Sequence, residues 1–300
     1  MIATARCRML RQSGTGSLGR RILAAVTWIY IAWSLVPVVL AFAASVGVGP
    51  SAESGPLGFD AYRFALSNSG VLTTFRHSVL LATATVCIAL PLGAGLGLAL
   101  SHVARRAWQP VRASLLILVA LPHTALAVAV FYLFAFVIRA HLGSVAQSVA
   151  HVTVALPFVS LIVWTRVVLL DASYEEQAAD LGASPLSTIR RVLLPLCTPA
   201  LVVAAAVAFA ISFNEIPLSD YLCIGNDCRT IPVMLAFSRG GDVPATAFAI
   251  SAMATMLSLS TLFAGVLAVR VARRRRHADG PEARRTGRTA SAMLGAEKPR

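Results

Sequence analysis

The sequence predicts an all-α polytopic membrane protein with six transmembrane helices and both termini in the cytoplasm, and three observations carry that expectation. Apolar residues make up 57% of the 300-residue chain and charged ones 13%. That is about half the roughly 25% charged of a soluble domain, and one water-soluble core cannot hide so much apolar surface. Six runs, 22–48, 78–103, 114–138, 144–165, 196–218 and 243–269, are apolar over the roughly 20 residues that cross a bilayer. Arg clusters alternate from one inter-run loop to the next, as the bias toward basic cytoplasmic loops requires.

A tail over residues 1–21 carries Arg6, Arg8, Arg11, Arg20 and Arg21 ahead of the first span. The apolar run of that span is about 27 residues, too long for the roughly 7–15-residue core of a cleaved signal, so it reads as a true span. Phe59, Tyr62 and Phe64 suit an interfacial segment before span two. Within span two, Gly93-Ala-Gly95-Leu-Gly97 lacks the third Gly and the preceding strand of a dinucleotide fingerprint. Gly93 and Gly97 form instead a G-x-x-x-G pair that lets helices approach closely. Arg105, Arg106 and Arg112 follow span two, Arg166, Arg190 and Arg191 follow span four, and Arg270 and Arg273 to Arg276 follow span six. The alternate loops carry only Arg63 and Arg76, then Arg139, then Arg229 and Arg239. Pro37, Pro91, Pro122 and Pro157 interrupt spans one to four, which implies kinked, packed helices. His102, His123 and His151 lie in different spans without ligand spacing and read as packing or boundary residues. None of the six runs alternates like a β-barrel strand. The membrane domain covers 22–270, and 271–300 reads as a basic, disordered cytoplasmic tail. Its Arg273–Arg276 run anchors the last span against membrane lipid and is no nucleic-acid patch.

The charge composition excludes a mechanism class. Lys298 is the one Lys among 26 basic residues, which stand against 13 acids for a net charge of +13. A phosphate-binding Walker loop needs Lys in G-x-x-x-x-G-K-[ST], so any ATP that drives this protein is hydrolysed by another chain. An intramembrane enzyme would need a nucleophile–base pair or metal ligands at depth. The sequence offers no His-Glu-x-x-His and no paired acids within a span.

The loop over 171–195 is far better specified than a tether. Residues 172–181 are good helix formers with acids early, where the helix dipole favours them. Gly182 ends that helix by a left-handed cap. Ser184 then supplies an N-cap and Pro185 the first position of a second helix. Leu186, Ile189 and Leu193 share its apolar face, and Pro195 and Pro199 steer the chain back into the membrane. A passive channel would have no need of this shaped helix–turn–helix.

The same residues resemble the EAA loop, E-A-A-x3-G-x9-I-x-L-P, of the inner-membrane permease subunits of binding-protein-dependent ABC importers. Glu176-Gln177-Ala178 stands at Glu-Ala-Ala, Gly182 at the Gly, and Val192-x-Leu194-Pro195 at Ile-x-Leu-Pro. Gln177 and Val192 are mild departures. The resemblance is clearest over roughly residues 72–270. It implies that the loop is a coupling helix seated in a cleft of a cytoplasmic ATPase, with Glu176, Ala178, Ala179, Gly182, Ala183, Leu194 and Pro195 in the contact. It also implies two such ATPase subunits, which bind ATP and Mg while this chain holds no cofactor. A second permease subunit, homologous or identical, and a periplasmic or lipid-anchored solute-binding protein complete the implied assembly, in a bacterial inner membrane.

Span five turns polar as Ser212-Phe213-Asn214-Glu215-Ile216-Pro217-Leu218-Ser219-Asp220. Ionisable groups at membrane depth are costly and mark functional sites. Glu215 and Asp220, with Ser212 and Asn214, either line the pathway of a cationic solute or, for Glu215, merely end the span at water. This segment and Thr230-Ile231-Pro232-Val233 resemble permeases of the polyamine (spermidine/putrescine) type. Permeases for aminoalkylphosphonates, ferric ion or oxyanions share much of the pattern. Cys223 and Cys228 are either a disulfide closed over a Gly225-Asn226 turn in an oxidising compartment or two free thiols. Without nearby His they make no zinc site.

Overall fold

The computed structural model describes residues 17–48, 58–102, 109–225, 227–237 and 245–278, and among them every regular element is helical. The chain divides into two compact units: residues up to Ala65 with Gly240–Ala252, and Leu66–Arg239 with residues from Met253 on. In the first unit α1 (Ser17–Ser45) runs through Pro37 as one 29-residue helix. Leu23, Trp28, Tyr30 and Trp33 on it are exposed, the all-round apolar surface of a helix that meets lipid. Gly47 at φ 85° ends it, and Val48 N–H donates to Ala43 O at 2.9 Å. Tyr62, on the short helix α2 (Asp60–Ser67), shares a 2.7 Å hydrogen bond with Ser45.

The second unit is built on α3 (Ser69–His102), α6 (Ser144–Val168) and α9 (Leu194–Phe213), each packed on the other two. Small residues permit the approach: Ala89, Ala155, Ala204 and Ala208 are fully buried in one cluster with Val159. A Cβ on Gly93 would lie 2.6 Å from Val159 Cγ1, and one on Gly97 would lie 2.7 Å from the Ser160 carbonyl oxygen. Lipid tails are as apolar as the side chains, so close van der Waals contact, more than exclusion from water, holds such helices together. The G-x-x-x-G expectation is met at atomic detail.

Among the described residues five helices are long and apolar enough to cross a membrane: Gly19–Ser45, Ser69–His102, Ser144–Val168, Pro185–Phe213 and Thr246–Val271. The run expected as a third span over 114–138 is instead a broken pair. α4 (Gln109–Ala120) and α5 (His123–Tyr132), the latter continued by a π-helical turn over Leu133–Ile138, meet at 104°. Pro122 causes the break, because its ψ of 128° is extended and its nitrogen has no hydrogen to donate. Counting the pair as one span gives six.

The fifth run also departs from the expected 196–218. α8 (Pro185–Thr188), a π-helical turn over Ile189–Leu193 and α9 form one rod over Pro185–Phe213. In the π turn Leu194 N–H reaches five residues back to Ile189 O, and this wider turn absorbs the missing donor of Pro195. Pro195 therefore does not turn the chain, and the polar segment after Phe213 lies in a break followed by a separate short helix, α10 (Pro217–Tyr221). The π turn also shifts the register of the expected apolar face: Leu193 is buried while Leu186 is 64% exposed. The expected disordered tail from 271 begins as helix, because α12 (Ala245–Ala278) continues through Arg273–Arg276. Arg is a good helix former, and no Gly or Pro intervenes before Gly280. The remainder of that tail, and residues 1–16 of the other, lie outside the described residues.

Candidate functional site

The loop over 171–195 opens with α7 (Ser173–Asp180), which carries Glu175 and Glu176 in its first turn. Asp171 Oδ1 accepts from Ser173 N–H at 3.0 Å, and that bond holds the Asp171 carboxyl below its usual range. The helix ends in a Schellman motif: Ala183 N–H bonds Ala178 O at 3.0 Å, Gly182 N–H bonds Ala179 O at 2.8 Å, and Gly182 sits at φ 75°. A Cβ added at Gly182 would meet nothing within 4 Å, so glycine serves the backbone there and not the space. Ser184 caps α8, accepting from Ser187 N–H at 3.4 Å, with Pro185 at the first helical position. Glu176, Ala179, Gly182 and Pro195 are exposed, Ala183 and Leu194 half-buried, and Ala178 buried. Glu175 turns inward, its Oε2 2.9 Å from His102 Nε2 at the end of α3.

At the opposite end of the same core a chain of hydrogen bonds crosses four helices. Thr85 donates to Leu81 O at 2.9 Å and Ser212 donates to Thr85 Oγ1 at 3.1 Å. His151 Nδ1 must then donate to Ser212 Oγ, at 2.8 Å, and its Nε2 faces Ser219 Oγ at 3.1 Å. None of these four side chains is more than 4% exposed. Gln147, one turn away on α6, donates to Ser219 O at 2.8 Å and Cys228 O at 3.0 Å, while its Oε1 faces His77 Nε2 at 3.1 Å. Ser78 accepts from Ile231 N–H, at the start of α11 (Ile231–Phe237), at 2.8 Å. Cys223 and Cys228 form a disulfide, and Gln147 ties the loop they close to α6. His151, read from sequence as a packing or boundary residue, is thus the hub of a network. Its partners lie 61 and 68 residues away, and the only local signal was an ionisable residue in an apolar span.

Two helix breaks meet beside this network. His123 is the first residue of α5 after the Pro122 break, and its Nδ1 lies 2.8 Å from Glu215 Oε2, just past the end of α9. Glu215 does not end the rod in water: it is 5% exposed, and its Oε1 faces Leu218 N–H at 3.5 Å. The structure therefore brings Ser212 and Glu215 each onto a histidine. Asn214 is exposed, with Nδ2 donating to Ala210 O at 2.7 Å, and Asp220 is half-buried on α10. Irregular backbone at membrane depth is tolerated where protein or a water-filled cavity surrounds it, and broken helices are where membrane transporters gather solute contacts. Among the described residues no cluster of three His, Cys, Asp or Glu could hold a metal ion.

Apolar spans around a small-residue core, broken where ionisable residues pair, define a helical membrane transport protein. Residues 89–277 match the family described as binding-protein-dependent transport system inner membrane component, and the chain belongs to it. It is an inner-membrane permease subunit of an ABC importer, a transport subunit and not an enzyme. It is 29% identical over 217 residues to the spermidine/putrescine permease PotC of Haemophilus influenzae, covering 72% of this chain and 82% of that one. The putrescine permease PotI of Escherichia coli is 34% identical over 117 residues, 38% of this chain and 40% of its own. The molybdate/tungstate permease WtpB of Pyrococcus abyssi is 29% identical over 147 residues, 49% of this chain and 58% of its own. Among solved structures, the bacterial importer of the acidic polysaccharide alginate superposes with a TM-score of 0.61 at 14% identity, covering 84% of this chain and 95% of that one. The methionine transporter MetNI, in inward-facing form, gives 0.55 at 21% identity over 68% and 94%. Both are likenesses of fold.

Proposed function

We propose that the 171–195 loop couples this permease to separate cytoplasmic ATPase subunits, and that the solute is a polyamine. The observation that carries the coupling role is the double capping at Gly182 and Ser184, which fixes two helices locally while Glu176, Ala179 and Gly182 remain exposed. In this reading both termini and the loop face the cytoplasm, and two ATPase subunits bind the ATP and Mg. A second permease, homologous or identical, and a periplasmic or lipid-anchored binding protein complete the importer. The test is retention of the ATPase and transport by the tagged chain purified from native membranes. Gly182→Trp is expected to lose both; retention and transport at wild-type levels would end the coupling reading.

The polyamine reading is supported by similarity across 82% of a spermidine/putrescine permease. It is supported also by the carboxylate of Glu215 at the meeting of two helix breaks, where it would attract a cation, with Ser212, Asn214 and Asp220 along the same segment. The molybdate/tungstate relative favours a second reading, oxyanion uptake. A thermal-shift panel of spermidine, putrescine, an aminophosphonate and molybdate on the partner binding protein separates the two. Normal solute uptake by Glu215→Gln would remove Glu215 from the pathway.

A further inference from the structure

We infer that His102 is a positioning residue for the coupling loop, tying the end of α3 to α7 through Glu175; the inference rests on the coupling role proposed above. The His102 ring lies between two oxygen acceptors, with Nε2 2.9 Å from Glu175 Oε2 and Nδ1 2.7 Å from Leu98 O. Ser101 donates its own hydrogen to Leu98 O at 2.6 Å, so the Ser101 oxygen, 3.0 Å from Nδ1, accepts there as well. Both ring nitrogens are thus engaged by oxygen atoms, and the one that faces Glu175 reaches across to another helix.

Within the loop, α7 packs on α8 and the π-helical turn. Ala178 is its one buried residue, and its two ends are fixed by bonds within the loop itself, to Asp171 and through Gly182. Among the described residues the His102–Glu175 pair is the one side-chain hydrogen bond from α7 to a membrane-spanning helix. That helix is α3, which Gly93 and Gly97 lock against α6. A push on α7 thus reaches the three-helix core directly through α3, in addition to the covalent path through the α8–α9 rod. The two adjacent acids divide the work: Glu175 points back to the permease, and exposed Glu176 is left for the partner. The sequence motif names only the second.

A double-mutant cycle tests this on the full-length tagged chain purified from native membranes, with retained ATPase and the thermal melt of the permease as readouts. His102→Ala and Glu175→Ala are each expected to lower ATPase retention about two- to fivefold, the range for a half-exposed polar pair. The double variant should lose no more than either alone, because the pair acts as one unit. His102→Glu with Glu175→Arg, which exchanges the charges, should recover retention, and the melt should stay unchanged throughout. Wild-type retention in His102→Ala, or additive losses in the double variant, would overturn the inference. A wild-type chain that retains no ATPase would instead take down the coupling reading on which it rests.

Discussion

Gly97, in the packed core, and Gly182, in the exposed loop, are glycines for different physical reasons. At Gly97 the backbone is ordinary helix, but a Cβ would stand 2.7 Å from the Ser160 carbonyl oxygen and 2.9 Å from Val163 Cβ. At Gly182 a Cβ would meet nothing within 4 Å, but φ is 75°, a conformation that an L side chain resists. The core is limited by space and held by contacts between distant segments. The loop is limited by backbone conformation and held by its own caps. A turn shaped by its own caps, in a loop joined to the core at Glu175 and Leu193, can pass motion on, and a core closed by backbone contact can receive it without deforming.

The largest expected effect lies in the core. Gly97→Val should destabilise the permease by about 3 kcal/mol through overpacking against backbone that cannot yield. Gly95→Val, two residues away with open space around its Cβ, should stay within about 0.5 kcal/mol. Thermal unfolding followed by the monodisperse fraction in detergent measures both, and equal effects would break the distinction. His151→Leu comes next, at about 1–2 kcal/mol, in the upper part of the range for interhelical hydrogen bonds in membranes. It leaves the buried Ser219 hydroxyl without its ring partner.

The same contrast explains what could be read in advance. The caps of the loop are local chemistry: Gly182, Ser184 and Pro185 lie within four consecutive residues, and their conformations came out as their types dictate. The small-residue face of α3 was legible for the same reason, since Gly93 and Gly97 repeat at the helical period. His123 and Glu215 are 92 residues apart, and Ser212 and Thr85 are 127 apart. Spacing in the chain carries no trace of such pairs, so the histidines looked unconnected. The π turn before Pro195 was hidden differently. A proline in an apolar run signals either a bend or an absorbed donor, and packing around Leu193 and Cys197 goes with the second.

Gly182→Ala sharpens the loop side of the comparison. The left-handed backbone should cost about 1 kcal/mol there, borne by the loop alone. The melt of the membrane core should remain within about 0.5 kcal/mol of wild type while ATPase retention falls. Gly182→Asn, which tolerates the left-handed region, should restore most of it. A matching drop in core stability for Gly182→Ala would show that loop and core are one cooperative body.

The smallest effect belongs to Asp171, and its sign follows from titration. The Ser173 amide stabilises the ionised carboxylate and holds its pKa below the usual value, so the group contributes to the first turn of α7 above about pH 4. That contribution is lost as pH falls through the depressed folded value, when the oxygen gains a proton and becomes a poorer acceptor. Asp171→Asn keeps a neutral acceptor, so its first turn should show no such step on acidification. Asp171→Ala should behave at neutral pH as the wild type does in acid. Hydrogen exchange at the Ser173 amide, with Asp171→Asn as the reference for intrinsic pH effects, reads the difference. An exchange rate in Asp171→Ala equal to wild type at pH 7 would mean that the loop's own helix dipole suffices, and that the cap at Gly182 alone gives α7 its shape.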